Sequence, residues 1–104
     1  MMGMVIRDNH QRGRHELMVD GDLAGVVDYR LGAGQVDLVR TAVDDRYAGR
    51  GLGTTLVEFA LRDARDRGLA VVPSCPFVAE VIARKPDEFL DLVPEGRRGE
   101  FGLN

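Results

Sequence analysis

At Gly49-Arg50-Gly51-Leu52-Gly53 the chain changes its hydrophobic period, and this one switch restricts the folds open to it. Upstream, apolar and polar residues alternate, which is the period of a half-buried strand. Residues 4–8, 15–20, 24–31 and 35–43 form four such segments. The loop at 9–14 and the turns at Gly21-Asp22 and Gly32-Ala33-Gly34 separate them. Connections this short require antiparallel neighbours. In the second segment Leu17 and Val19 share a face. In the third, Val27, Tyr29 and Leu31 alternate with Val26, Asp28 and Arg30. Strict alternation in the fourth sets Val36, Leu38 and Ala42 against Val39, Thr41 and Val43.

Downstream the period is helical. Leu52, Leu56, Phe59, Ala60 and Ala64 recur at the spacing of one helix face over residues 51–67. Glu58 with Arg62, and Asp63 with Arg67, are i,i+4 pairs with the acid toward the N-terminus, the better orientation. Gly68 ends the helix. The apolar run 69–73 suits a buried strand. A strand, a long helix and a strand in sequence make a crossover, which sets this strand parallel to the fourth. Pro76 fits the first turn of a second helix, with Cys75 at its cap and Phe77, Val78, Val81 and Ile82 facing inward. Pro86 stops it, and 87–92 adds a helical turn carrying Phe89, Leu90 and Leu92 inward. After Pro94, Glu95-Gly96-Arg97-Arg98-Gly99 reads as a loosely held tail. The expectation is one α+β domain over 1–94, order β-β-β-β-α-β-α, with a mostly antiparallel sheet, one β-α-β crossover and a flexible segment 95–104.

Composition removes several classes. A length of 104 residues fits one domain. The net charge of −3 argues against general nucleic-acid affinity, which needs a basic surface. No apolar run approaches the ~20 residues of a membrane span. The start, Met1-Met2-Gly3-Met4-Val5-Ile6, is too short for a secretory signal, so a cytoplasmic address is expected. A single cysteine excludes an intramolecular disulfide. His10 and His15 show no metal-ligand spacing with Cys75, and no metal is expected. A short sheet with an exposed edge allows a monomer or a weak homodimer.

The chemistry lies in the glycine turn. The first N–H groups of a helix have no internal acceptor, and with the helix dipole they form an anion site. Glycines at positions 49, 51 and 53 let a phosphate meet the main chain without a Cβ between them, and Arg50 adds charge at the rim. The plain alternative is a turn that only starts a helix. A dinucleotide-binding site would place such glycines after an early strand, whereas four strand-like segments come first here. A Walker loop needs Lys before its Ser or Thr, and Thr54-Thr55 follows Gly53 directly.

A strand ending in Val43, followed by Gly51-Leu52-Gly53 opening a long helix, resembles the acetyl-CoA motif of the GNAT superfamily of N-acetyltransferases. The stretch Asp63-Ala64-Arg65-Asp66-Arg67-Gly68-Leu69-Ala70-Val71-Val72-Pro73-Ser74-Cys75-Pro76-Phe77-Val78 resembles a short, stand-alone GNAT branch, with Cys-Pro-Phe-Val the most specific part. The likeness runs over about residues 36–93. It implies acetyl-CoA as co-substrate and an unidentified small-molecule or peptide amine as acceptor. It implies that main-chain amides from Gly49, Arg50, Gly51, Leu52, Gly53 and Thr54 hold the pyrophosphate. The main chain at Thr41, Ala42 and Val43 would contact the pantetheine arm. The fourth and fifth strands would splay, with Cys75 near the acetyl group as a tentative catalytic residue. The chain departs from the pattern in three places. Ala48 stands where Gln or Arg is usual, Arg40-Thr41-Ala42-Val43 replaces His-Thr-Glu-Val, and Val81 stands near an expected tyrosine.

Each side chain also has a plainer reading. Cys75 is either an acyl acceptor with a lowered pKa or a buried structural thiol. Arg40 either faces solvent or lines the acceptor cleft. Tyr47 staples the glycine turn or serves as an acid, and Asp44-Asp45 either opens that turn or repels or orients a cationic acceptor amine. His15 reads as a surface strand residue, and Arg62, Arg65 and Arg67 as a solvated helix face. The alternative to acetyl transfer is a non-catalytic acyl-CoA-binding or protein-interaction module.

Overall fold

Five strands lie in one sheet in chain order, β1-β2-β3-β4-β5. The computed structural model describes residues 3–104. Met1 and Met2, which head the short apolar start, lie outside the described residues. The strands are β1 (Met4–Asn9), β2 (Arg14–Val19), β3 (Asp22–Gly32), β4 (Gln35–Val43) and β5 (Ala70–Val72). The first four pair antiparallel, and β4 pairs parallel with β5. The helix α1 (Leu52–Asp66) makes the crossover between them. Then come α2 (Pro76–Arg84), α3 (Pro86–Phe89) and two 3-10 turns, Leu90–Leu92 and Glu95–Phe101. Among the described residues no helix is long and apolar enough to cross a membrane.

One face of the sheet is covered by α1, which touches β2, β3 and β4. Leu56, Val57, Ala60, Leu61 and Ala64 are its buried residues. Of the stripe expected from periodicity, Leu56, Ala60 and Ala64 are buried and Leu52 is partly so, whereas Phe59 is 38% exposed. Val57 and Leu61 take its place because α1 also packs against α2, which turns a second flank inward. At the C-terminal end Gly68, at φ +68°, closes the helix. Its N–H donates to Arg65 O at 3.0 Å and that of Leu69 to Ala64 O at 2.9 Å, the paired bonds of a Schellman cap.

Strict alternation in β4 does not hold. Tyr29 pairs with Leu38 and Asp28 with Arg40, leaving Val39 as an extra residue on β4. Such a bulge inverts every side chain beyond it. Thr41 and Val43 therefore face α1 and α2 along with Leu38. Thr41 reaches Cys75, and Val43 lies against the first turn of α1. Ala42 points to the other face, in register with Val26 and Glu16. On that face Glu16 is buried and accepts hydrogen bonds from Arg7, Asn9 and Arg14, and Arg40 binds Asp28 at 3.0 Å.

Two further expectations are corrected. His15 is 3% exposed, because β2 is the second strand and its helix-facing side lies under Phe59 and beside Tyr29. Burial lowers the pKa of its imidazole, against raising contributions from Asp8 and Asp63. The segment expected as a loose tail is folded. Residues Glu95–Phe101 form a 3-10 helix, Leu103 is buried in the core, and Arg98 Nε donates to Val93 O at 3.0 Å. Polar composition hid the anchors, which are Phe101 and Leu103 beyond the charged run.

Candidate functional site

The site forms where α1 begins. Asp44 caps the short turn Asp45–Tyr47 by accepting from Arg46 N at 2.9 Å, and the chain then reaches Gly49 at φ +79° and Gly51 at φ +72°. Both conformations are left-handed, where a Cβ costs roughly 1–2 kcal/mol. Around each the space for a Cβ is open, with no atom within 4 Å. Gly51 is the N-cap of α1 and offers no side chain to its first N–H groups. The first intrahelical bond is that of Thr55 N to Gly51 O at 3.1 Å, reinforced by Thr55 Oγ1 to the same oxygen at 3.2 Å. The N–H groups of Leu52, Gly53 and Thr54 precede it, and they carry the positive end of a 15-residue helix dipole.

Gly53 has another purpose. A Cβ there would lie 3.3 Å from Phe77 Cε2 and 3.4 Å from Val43 Cγ2. Hydrogen at this position lets the start of α1 approach β4 and the start of α2, so two helix N-termini meet at one corner. Arginines add charge beside it. The guanidinium carbons of Arg46 and Arg50 lie 5.4 and 5.5 Å from the centre of the Tyr47 ring. Tyr47 thus spaces two cations along the glycine turn. The sequence alone does not reveal this pair of arginine contacts, because they need the turn's curvature.

Next to this corner the sheet opens. β4 and β5 pair only at Gln35–Asp37 with Ala70–Val72, and Cys75 N donates to Leu38 O at 2.9 Å. From Val39 to Val43 β4 runs on without β5. The chain leaves β5 through Pro73 into α2, so Thr41, Ala42 and Val43 border the gap. Cys75 caps α2 at the mouth of the gap, with Sγ 3.5 Å from Thr41 Oγ1. Burial pushes the thiol pKa up, but the Thr41 hydroxyl and the nearby main-chain N–H groups together outweigh it, and the pKa sits below the ordinary value. The N–H groups of Val78 and Phe77 act in the same sense without closing a capping bond.

The fold therefore gathers Thr41, Val43, Gly49, Arg50, Gly51, Leu52, Gly53, Thr54 and Cys75 around one corner and one gap. Ala42 belongs through its main chain only, since its side chain turns to the far face. Arg40 is solvent-facing and paired with Asp28. Val81 is buried in α2 and takes no part. On the far face a groove of about 220 Å³ runs beside β4, lined by Leu23, Val26, Ala42 and Asp44 among others.

A sheet that splays after a parallel pair, with a glycine turn heading the crossover helix, defines the acetyltransferase fold of the GNAT type. The sequence model of the family described as GCN5-related N-acetyl-transferase matches residues 14–92, and the chain belongs to this family. Two solved structures share the fold. One is a GCN5-like protein from Staphylococcus aureus, at 22% identity and a TM-score of 0.66, covering 90% of this chain and 91% of that one. The other is the ribosomal-protein-S18-alanine N-acetyltransferase from Escherichia coli, at 19% identity and a TM-score of 0.56. That alignment covers 68% of this chain, which spans only 64% of the Escherichia coli enzyme. None of the curated proteins compared with the chain matches it.

Proposed function

We propose that the protein binds acetyl-CoA at the start of α1 and transfers the acetyl group to an amine. The observation that carries this reading is the glycine turn itself, with Gly49 and Gly51 left-handed and open on the side a Cβ would occupy, beside helix N–H groups that no side chain caps. A diphosphate suits such a site, because it accepts from several N–H groups at once and meets the positive dipole end. Arg46 and Arg50 add long-range attraction. The main chain of Thr41, Ala42 and Val43, free of β5, pairs with the amides of the pantetheine arm as an added strand would. The thioester then lies in the gap, next to Cys75.

Acetyl-CoA supplies an activated acyl group, and the protein supplies position. Holding amine and thioester in reacting geometry accounts for several kcal/mol of barrier by itself. The amine nitrogen forms the C–N bond as the C–S bond breaks, and the departing thiolate takes up the proton that the amine releases. Position 42 carries alanine and no carboxylate on the far face, and Arg40 is engaged by Asp28, so the acceptor enters as the free amine or loses its proton to water. The groove beside Ala42 and Asp44 is the approach for that acceptor. The Thr41–Cys75 contact keeps the thiol polarised, and transfer through Cys75 is the variant to test.

Titration of the full chain with acetyl-CoA, followed by amide NMR, tests binding. The expected result is saturable shifts confined to residues 41–43 and 49–54. Unmoved amides at millimolar coenzyme would remove the reading. Release of free coenzyme A over a panel of amines and peptides tests transfer. Binding without release would leave an acyl-CoA-binding module.

A further inference from the structure

At the opposite end of α1, three segments bring both histidines of the chain to a pair of carboxylates. Asp8 and His10 come from β1 and the loop after it, His15 from β2, and Asp63 from the last turns of α1. Ligand atoms of Asp8, His15 and Asp63 lie within 4.8 Å of one another. His10 Nε2 sits 3.5 Å from Asp8 Oδ2 at the mouth of the cluster, and its ring is 60% exposed.

His15 is the telling member. Only 3% of it is exposed, yet its ring is not fully satisfied. Nδ1 has none at all, and Nε2 points toward Asp63 Oδ2 at 3.9 Å, beyond bonding distance. Buried imidazoles are otherwise satisfied by protein, water or an ion. Between His15, Asp8, Asp63, Tyr29 and Arg67 lies a cavity of about 10 Å³. That is room for about one water-sized sphere.

We propose that Asp8, His15 and Asp63, with His10 at the mouth, bind a divalent transition-metal ion of the zinc type. Two imidazoles and two carboxylates are the donor set of such ions, whereas calcium and magnesium prefer oxygen alone. A tetrahedron with metal–ligand bonds of about 2.05 Å has edges of about 3.3 Å. Small side-chain rotations close the difference from the present separations, and Asp8 and Asp63 sit at strand and helix ends where they can make them. The sequence hides the site because the donors stand at positions 8, 10, 15 and 63.

The competitor is built in. Arg67 Nη2 lies 3.2 Å from Asp8 Oδ2, and its Nε 3.0 Å from Asp63 Oδ2. This guanidinium, 43% exposed, neutralises the carboxylates that the metal would take. It moves to solvent when the ion enters. Tyr29 Oη donates to the other Asp8 oxygen at 2.6 Å and orients the carboxylate.

The test is titration of the chelator-treated full chain with zinc chloride by calorimetry, and with cobalt chloride by visible absorption. Expected are one site, a tetrahedral cobalt band and a rise in Tm with metal concentration. Asp63→Asn and His10→Ala each weaken binding by about tenfold or more, the scale on which even outer partners of a metal count. Arg67→Gln strengthens it, an outcome that a merely structural role for the cluster does not produce. No binding at millimolar zinc overturns the proposal. So does binding that Asp63→Asn and His10→Ala leave unchanged, or that Arg67→Gln weakens. Acetyl-CoA affinity, read on the same samples, is unaffected by Asp63→Asn, which keeps this result separate from the transfer reading.

Discussion

The two ends of α1 show two ways of making a polar site. At the N-terminal end the donors are main-chain N–H groups, exposed because Gly51 caps the helix without a side chain. At the C-terminal end the main chain is closed by the Schellman bonds of Gly68 and Leu69, and the polar groups are side chains from β1, β2 and α1. One site is local in sequence and fixed by helix geometry. The other is assembled from distant residues and depends on the sheet holding β1 and β2 against α1. A backbone site is broken by adding atoms; a side-chain site is broken by removing them.

The widest effect comes from the middle of the helix, which both ends share. Leu56→Ala removes a fully buried side chain and costs about 2–5 kcal/mol, read by denaturant unfolding. Both sites weaken together; loss at one end alone would show that the ends do not depend on a common helix. Gly53→Val comes next. Its side chain meets Phe77 and Val43 at 3.3–3.4 Å, and overpacking of this kind costs about 1–3 kcal/mol. Acetyl-CoA binding falls with it, by calorimetry, because α1 is pushed off β4 and α2.

Gly51→Ala is smaller in stability and sharper in function. Holding alanine at φ +72° costs about 1–2 kcal/mol, and the methyl occupies space that is open beside the first N–H groups of α1. Acetyl-CoA affinity drops while zinc affinity at the far end does not. Equal loss at both ends would sink the contrast between main-chain and side-chain sites. The smallest effect concerns Cys75. Its thiol pKa lies below the ordinary value, so thiolate persists to lower pH, and alkylation rates rise through a midpoint below that of an ordinary cysteine thiol. Thr41→Ala removes the main compensating hydroxyl and moves that midpoint up. An unchanged midpoint in the variant would show that Thr41 does not set the thiol's ionisation.

Much of the architecture could be read before any coordinates. The bounds of β4, the start of α2 at Pro76 with Cys75 as cap, and the end of α1 before Gly68 all follow from local rules of period, proline and glycine. Other features escaped for one shared reason. The bulge at Val39 leaves no mark on alternation, so Thr41 and Val43 were set on the wrong face relative to Leu38. His15 looked like a surface residue because neither Phe59 nor Tyr29 is near it in sequence. The segment after Pro94 looked loose because its charged residues outnumber the two anchors that dock it.

The sequence by itself determined the order of elements, the crossover and the glycine turn, because each depends on interactions within a few residues. Tertiary structure alone decided that β4 parts from β5 beyond Asp37, that Cys75 meets Thr41, and that Asp8, His10, His15 and Asp63 converge. Those outcomes depend on contacts between residues far apart in the chain, and such contacts arise only when the sheet and α1 pack together.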